Sequence, residues 1–149
     1  MTVDNKAVWT IPNDVSSTVR VRITDTADVL TTDKSDLPFT ILPAPIITIT
    51  SPQNGDVWRV GDVKDIIWTD NGGLVSNNLT LEYSSNNGTT WNLIGTGIAN
   101  TRSYSWTIPD TLSVQCKIRI QDPSRDPATT GESSVFEIAN PLITITSPN

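Results

Sequence analysis

Apolar and polar residues alternate with a period of two through much of this chain. Leu79, Leu81 and Tyr83 are separated by Thr80 and Glu82, and Tyr104, Trp106 and Ile108 by Ser105 and Thr107. Cys116, Ile118 and Ile120 alternate with Lys117, Arg119 and Gln121. Successive side chains of an extended chain point to opposite faces, so the first member of each set faces a core and the second faces solvent. Clusters of Asn, Gly, Asp, Ser and Pro interrupt these runs every 8 to 12 residues or so, which is the signature of an all-β fold. The pattern predicts strands over 46–50, 57–60, 63–68, 79–84, 91–96, 103–108, 116–121 and 134–138. No window carries the 3.6-residue period of a helix.

The pattern also repeats. Trp9-Thr10-Ile11-Pro12 returns 97 positions later as Trp106-Thr107-Ile108-Pro109. At the same offset, Val19-Arg20-Val21-Arg22-Ile23-Thr24-Asp25 matches Cys116-Lys117-Ile118-Arg119-Ile120-Gln121-Asp122, and Phe39-Thr40-Ile41 matches Phe136-Glu137-Ile138. Ile47-Thr48-Ile49-Thr50-Ser51-Pro52 recurs letter for letter as Ile143 to Pro148. The repeats divide the chain into the C-terminal part of one repeat (1–44), a complete repeat (45–140) and the first strand of a third (141–149). A complete repeat is close to the roughly 100 residues of an immunoglobulin-type sandwich. The link Ile138-Ala139-Asn140-Pro141-Leu142-Ile143 is short and contains proline, which favours a semi-rigid rod. Residues 1–44 lack the counterpart of 53–103 and cannot close a sandwich alone. Three outcomes are open for them: disorder, packing on the complete repeat, or completion by another chain in a fibre or a swapped dimer.

Composition narrows the function classes. A net charge of −6, from 10 basic and 16 acidic residues, argues against a nucleic-acid partner. No apolar run approaches the roughly 20 residues of a membrane span. Met1-Thr2-Val3-Asp4-Asn5-Lys6 does not read as a secretory signal. With no histidine, the commonest general base and metal ligand is missing, and the single cysteine, Cys116, excludes an internal disulfide.

The complete repeat carries Ile49-Thr50-Ser51-Pro52-x-x-Gly55, then Trp58, Gly61, Ile67-Trp68 and Leu81-x-Tyr83-Ser84-x-Asn86-x-Gly88-x-Thr90-Trp91. Ser105 to Pro109, Lys117-Ile118-Arg119-Ile120-x-Asp122 and Ser133-Ser134-x-Phe136-x-Ile138 follow. In this order the motifs resemble the Knh-like immunoglobulin-fold domains, a family named for fungal cell-wall β-glucan synthesis proteins. Similar modules occur as repeats in large bacterial and archaeal surface or secreted proteins. The resemblance implies a sandwich fold and a surface setting; it carries no catalytic residues, and fold alone does not give function.

Several residues have two readings. Ser84 to Trp91 resembles the Asp-box of sialidases, with Asn86 where that pattern has Asp, and reads as a hairpin brace before it reads as a ligand loop. Planar aromatic faces stack on sugars, but Trp68, Trp106 and Trp9 lie in alternating strands and read as core. Trp58 and Trp91, near turns, are the candidate ligand-binding platform, set against core or interface packing. Asp25, Asp28, Asp33, Asp36, Asp122 and Asp126 lie in matching loops, yet lack the Asp-x-Asp-x-Asp spacing of a calcium loop; solvated charge is the simpler reading and calcium the alternative. No two carboxylates are placed by sequence across a glycoside-cleaving cleft. Cys116 takes the place of Val19 and reads as a buried, inert thiol. Arg20/Arg22 and Lys117/Arg119 face outward, protecting the sheet from strand pairing or, alternatively, gripping an anionic polymer. Asn78-Leu79-Thr80 and Asn87-Gly88-Thr89 fit the glycosylation pattern, which also arises by chance in so Asn- and Thr-rich a chain.

The expectation is therefore an all-β, immunoglobulin-like β-sandwich in tandem repeats, non-catalytic, with no cofactor. It would act as a spacer in a long extracellular or cell-surface protein. The alternatives are a carbohydrate- or protein-binding module and a fibre subunit. The expected partners are neighbouring repeats, with self-association through 1–44 and a glycan as further options.

Overall fold

In the computed structural model, which describes residues 6–72, 75–124 and 127–142, the alternating segments form strands, and no helix occurs among those residues. The fold is all-β with several sheets, and the chain divides into two units, Met1–Ala44 and Pro45–Asn149. Of the segment 141–149 expected to hold the first strand of a further repeat, residues 143–149 lie outside the described residues.

Among its described residues the second unit holds nine strands: β5 (Ile47–Ser51), β6 (Val57–Arg59), β7 (Val63–Asp70), β8 (Leu79–Ser84), β9 (Asn92–Ile98), β10 (Ser103–Thr107), β11 (Ser113–Asp122), β12 (Thr129–Glu132) and β13 (Phe136–Ala139). One sheet runs β10-β7-β5. The other runs β6-β13-β11-β8-β9, with β12 also paired to β11. All these pairs are antiparallel except β6 with β13. Both sheets supply one apolar core. Ile47, Ile66, Trp68 and Trp106 come from the first, and Trp58, Leu79, Leu81, Cys116, Ile118, Ile120, Phe136 and Ile138 from the second. The predicted inward sets on β10 and β11 are those that bury Trp106, Cys116, Ile118 and Ile120, while Tyr83 and Tyr104 pack at the core margin. Burial of such side chains stabilises by about 1.5–3 kcal/mol each, before the entropy of ordering the chain is counted.

One strand, β12, was not predicted. It lies along the C-terminal half of β11, pairing Ile120 with Gly131. A Cβ on Gly131 would come within 2.5 Å of the Ile47 carbonyl oxygen, so glycine is what lets β5 pass close to β12.

The first unit holds four short strands: β1 (Ser16–Val19), β2 (Arg22–Thr24), β3 (Thr32–Lys34) and β4 (Phe39–Ile41). They form two antiparallel ladders, β1 with β4 and β2 with β3. Its registers reproduce those of the second unit. Ser16 faces Ile41 and Val19 faces Phe39 across an irregularity; 97 positions on, Ser113 faces Ile138 and Cys116 faces Phe136 across the same irregularity. Val21 N donates to Ser35 Oγ while Ser35 N donates to Val21 O, and Ile118 with Ser133 makes the same reciprocal pair. Ala27 N donates to Asp25 Oδ1, as Ser124 N does to Asp122 Oδ1.

Candidate functional site

Trp58 sits on β6, the short strand between the turns at Gly55 and Gly61, both of which have positive φ. Its parallel pairing with β13 carries the ring inward, where it is 6% exposed. Trp106 and Phe136 stand 6.3 and 5.0 Å from it, centroid to centroid. The ring is thus a core element with no face turned to a ligand.

Trp91 follows the turn after β8 and is half-buried. The Arg119 guanidinium lies 4.2 Å from the centre of its ring, a cation–π arrangement. Arg119 in turn reaches Glu82 Oε2, with Nη2 at 2.7 Å and Nε at 2.8 Å. Of the two tryptophans expected as a platform, Trp58 is thus in the core, and Trp91 lies half-buried beneath the ion-paired Arg119. Lys117, also outward on β11, pairs with Glu132 at 3.5 Å. Arg20 donates to the Ser35 and Asp36 carbonyls.

The turn between β8 and Trp91 is braced from within. Ser84 Oγ accepts from the backbone of Asn86 and Gly88, and Asn86 Oδ1 accepts from Thr90 N. Asn86 Nδ2 donates to Thr90 Oγ1, and Asn87 takes a left-handed conformation at φ 56°. The side chains of Ser84 and Asn86 are thus used within the turn, Asn87 N donates to the neighbouring Gln115 O, Ser85 O accepts from Ser113 Oγ, and Gly88 packs beneath Trp91. Asn87, of the second glycosylation triplet, is exposed at the tip.

Two carboxylates the sequence did not distinguish from loop charge form buried clasps. Asp70, at the end of β7, accepts from Arg102 Nε and Nη2, Asn100 Nδ2 and Gly72 N. Asn100 Oδ1 accepts from Trp68 Nε1, so the loop before β10 is tied to a core tryptophan. The Arg102 hydrogen bonds, then those from Asn100 and Gly72, hold the Asp70 carboxyl well below the usual carboxylate range. Asp122 ends β11 fully buried and accepts from the backbone N and the Oγ of both Ser76 and Ser124. Burial pushes its pKa up, but these hydrogen bonds outweigh it and hold it at about 2. The signal available in the sequence was Asp122 within Asp-x-Ser, an arrangement that closes local turns.

Of the other carboxylates expected in loops, Asp25 accepts from Ala27 N and Asp28 from Leu30 N and Thr31 Oγ1, while Asp33 lies on β3. Asp126 lies outside the described residues. Among the described residues no group of three or more His, Cys, Asp or Glu is arranged to hold a metal ion. Cys116 is buried between β8 and β13, and desolvation raises its thiol pKa, which suppresses the nucleophilic thiolate. A shallow recess where β11 meets β13 is lined by Leu112, Ser113, Val114 and Glu137 to Asn140. No helix among the described residues is long and apolar enough to cross a membrane. Comparison of the chain with protein-family models, with curated proteins and with solved structures finds no match.

Proposed function

We propose that this chain is a stretch of tandem immunoglobulin-like sandwich repeats, related to the Knh-like domains, that acts without catalysis as a spacer in a long extracellular or cell-surface protein. The observation that carries the reading is the shared register: β1 with β4 and β11 with β13 pair the same positions 97 residues apart, irregularity included. A sequence repeat preserved at the level of strand register and of the Ser35 and Ser133 hydrogen bonds is the mark of a repeated structural unit. Two sheets sharing one core within about 95 residues fit a sandwich. Only five residues separate β4 from β5, and they include two prolines, which restrict the connecting backbone. The polar groups concentrated in the turn and the two clasps serve the fold, which is the economy expected of a spacer.

The binding-module alternative has Trp91 as its remaining aromatic, and it is tested directly. On immobilised polysaccharides the intact chain should pass unretained, and Trp91→Ala should elute identically. Retention of the intact chain that Trp91→Ala abolishes would replace the spacer reading with a glycan-binding one.

A further inference from the structure

The repeated register allows residue-by-residue comparison of the two units, and burial differs sharply between counterparts. Ile23 is 74% exposed where Ile120 is fully buried, and Trp9 is 50% exposed where Trp106 is 8% exposed. Ile11 and Val21 are likewise exposed, although their counterparts Ile108 and Ile118 are core residues. In the second unit the counterparts share one core with Trp58, Ile66, Trp68, Leu79 and Leu81, all supplied by residues 45–102. The ring geometry marks the same gap. Trp58 sits against both Trp106 and Phe136, whereas Trp9 and Phe39, their counterparts, meet each other edge to face at 6.3 Å.

We propose that the face of the first unit bearing Trp9, Ile11, Val21 and Ile23 is a docking surface for a half-repeat with the apolar pattern of residues 45–102, seated as those residues seat on 103–142. This rests on the tandem-repeat reading and adds the occupant. The connection that such a half-repeat fits is a junction ahead of Lys6. In the second unit the covering half runs straight into β10 at Ser103, the counterpart of Lys6. A second copy of the chain is the poorer donor. Each copy has one covering half and needs it for its own 103–142, so lending it bares as much apolar surface as it covers.

The occupant is not an identical copy of 45–102. Asp33 faces Ile23 on β3 just as Gly131 faces Ile120 on β12. Gly131 is the position where β5 passes close by, and a side chain there meets the Ile47 backbone. The strand equivalent to β5 in the occupant therefore runs further from β3, or offers Asp33 a polar partner.

The test joins a copy of residues 45–102 ahead of Lys6 of the full chain, in place of Met1–Asn5, with Asp33 retained and with Asp33→Gly. Hydrogen exchange of peptides within 16–41 is followed by mass spectrometry. The proposal expects exchange in 16–41 to slow by about tenfold or more in the extended chain, and to return to the original rate when the copy carries Trp58→Asp and Leu81→Asp. Slowing in the Asp33→Gly form alone also supports it and assigns the choice of first strand to Asp33. Equal exchange in all chains overturns it. So does a concentration-dependent dimer of the unextended chain in which 16–41 is already protected, since a second copy then covers the face. The tandem reading is read out separately, by the cross-strand contact between Val19 and Phe39 in the unextended chain, which persists if only the docking proposal fails.

Discussion

Asp122 shows how one residue carries more of the fold than its letter suggests. Its four hydrogen bonds from Ser76 and Ser124 tie the segment before β8 to the end of β11. The folded pKa of about 2 lies below the ordinary value near 4, so this group stabilises the fold fully above pH 4 or so and loses that contribution as pH falls toward 2. Asp122→Asn should lower stability at pH 7 by about 1–3 kcal/mol and flatten the acid limb between roughly pH 4 and 2, as measured by urea unfolding at a series of pH values. Trp58 was legible as an aromatic near turns and no further, because its inward direction comes from pairing with β13, nearly eighty positions away in sequence. Removing a side chain packed against Trp106 and Phe136 leaves a cavity, and Trp58→Ala should cost about 3–5 kcal/mol in chemical unfolding. A cost below 1 kcal/mol or so would mean that the ring is not in the core. Of the two clasps only the local turn at Asp122-Pro123-Ser124 was legible; the partners from Ser76, Asn100 and Arg102 lie far away in sequence and are known only once their loops are placed.

Strands with a clean two-residue alternation were the ones readable in advance. β8 was expected at the bounds it has, and β10 and β11 were found with their inward residues correctly assigned. The reading stopped short at β11, which begins at Ser113, before the irregularity that turns Cys116 inward. It missed β12 because Thr129-Thr130-Gly131-Glu132 has no apolar position and contains a glycine, a residue that weakens strands. That glycine is required by packing across the core: Gly131→Ala puts a methyl group against the Ile47 backbone, which has no flexible side chain to yield. The substitution should destabilise the chain by about 1–3 kcal/mol, with faster hydrogen exchange in β5 and β12. Unchanged stability and exchange would show that β5 does not cross at that point.

For the whole molecule, the 97-residue offset relates segments in which β1 with β4 and β11 with β13 pair at matching positions. What the pattern left open was the state of residues 1–44, because an alternating strand reads alike whether or not the opposite sheet is present. The contrast between exposed Ile23 and buried Ile120 is invisible in the matching segments Val19 to Asp25 and Cys116 to Asp122. A spacer's function is length, so the measurement that bears most directly on the account is small-angle X-ray scattering of the full chain and of chains lengthened by one and two further copies of residues 45–140. The account predicts a maximum dimension that grows by the same increment with each copy. Growth of the radius of gyration with only about the 0.4 power of chain length, as for a single compact globule, would contradict it.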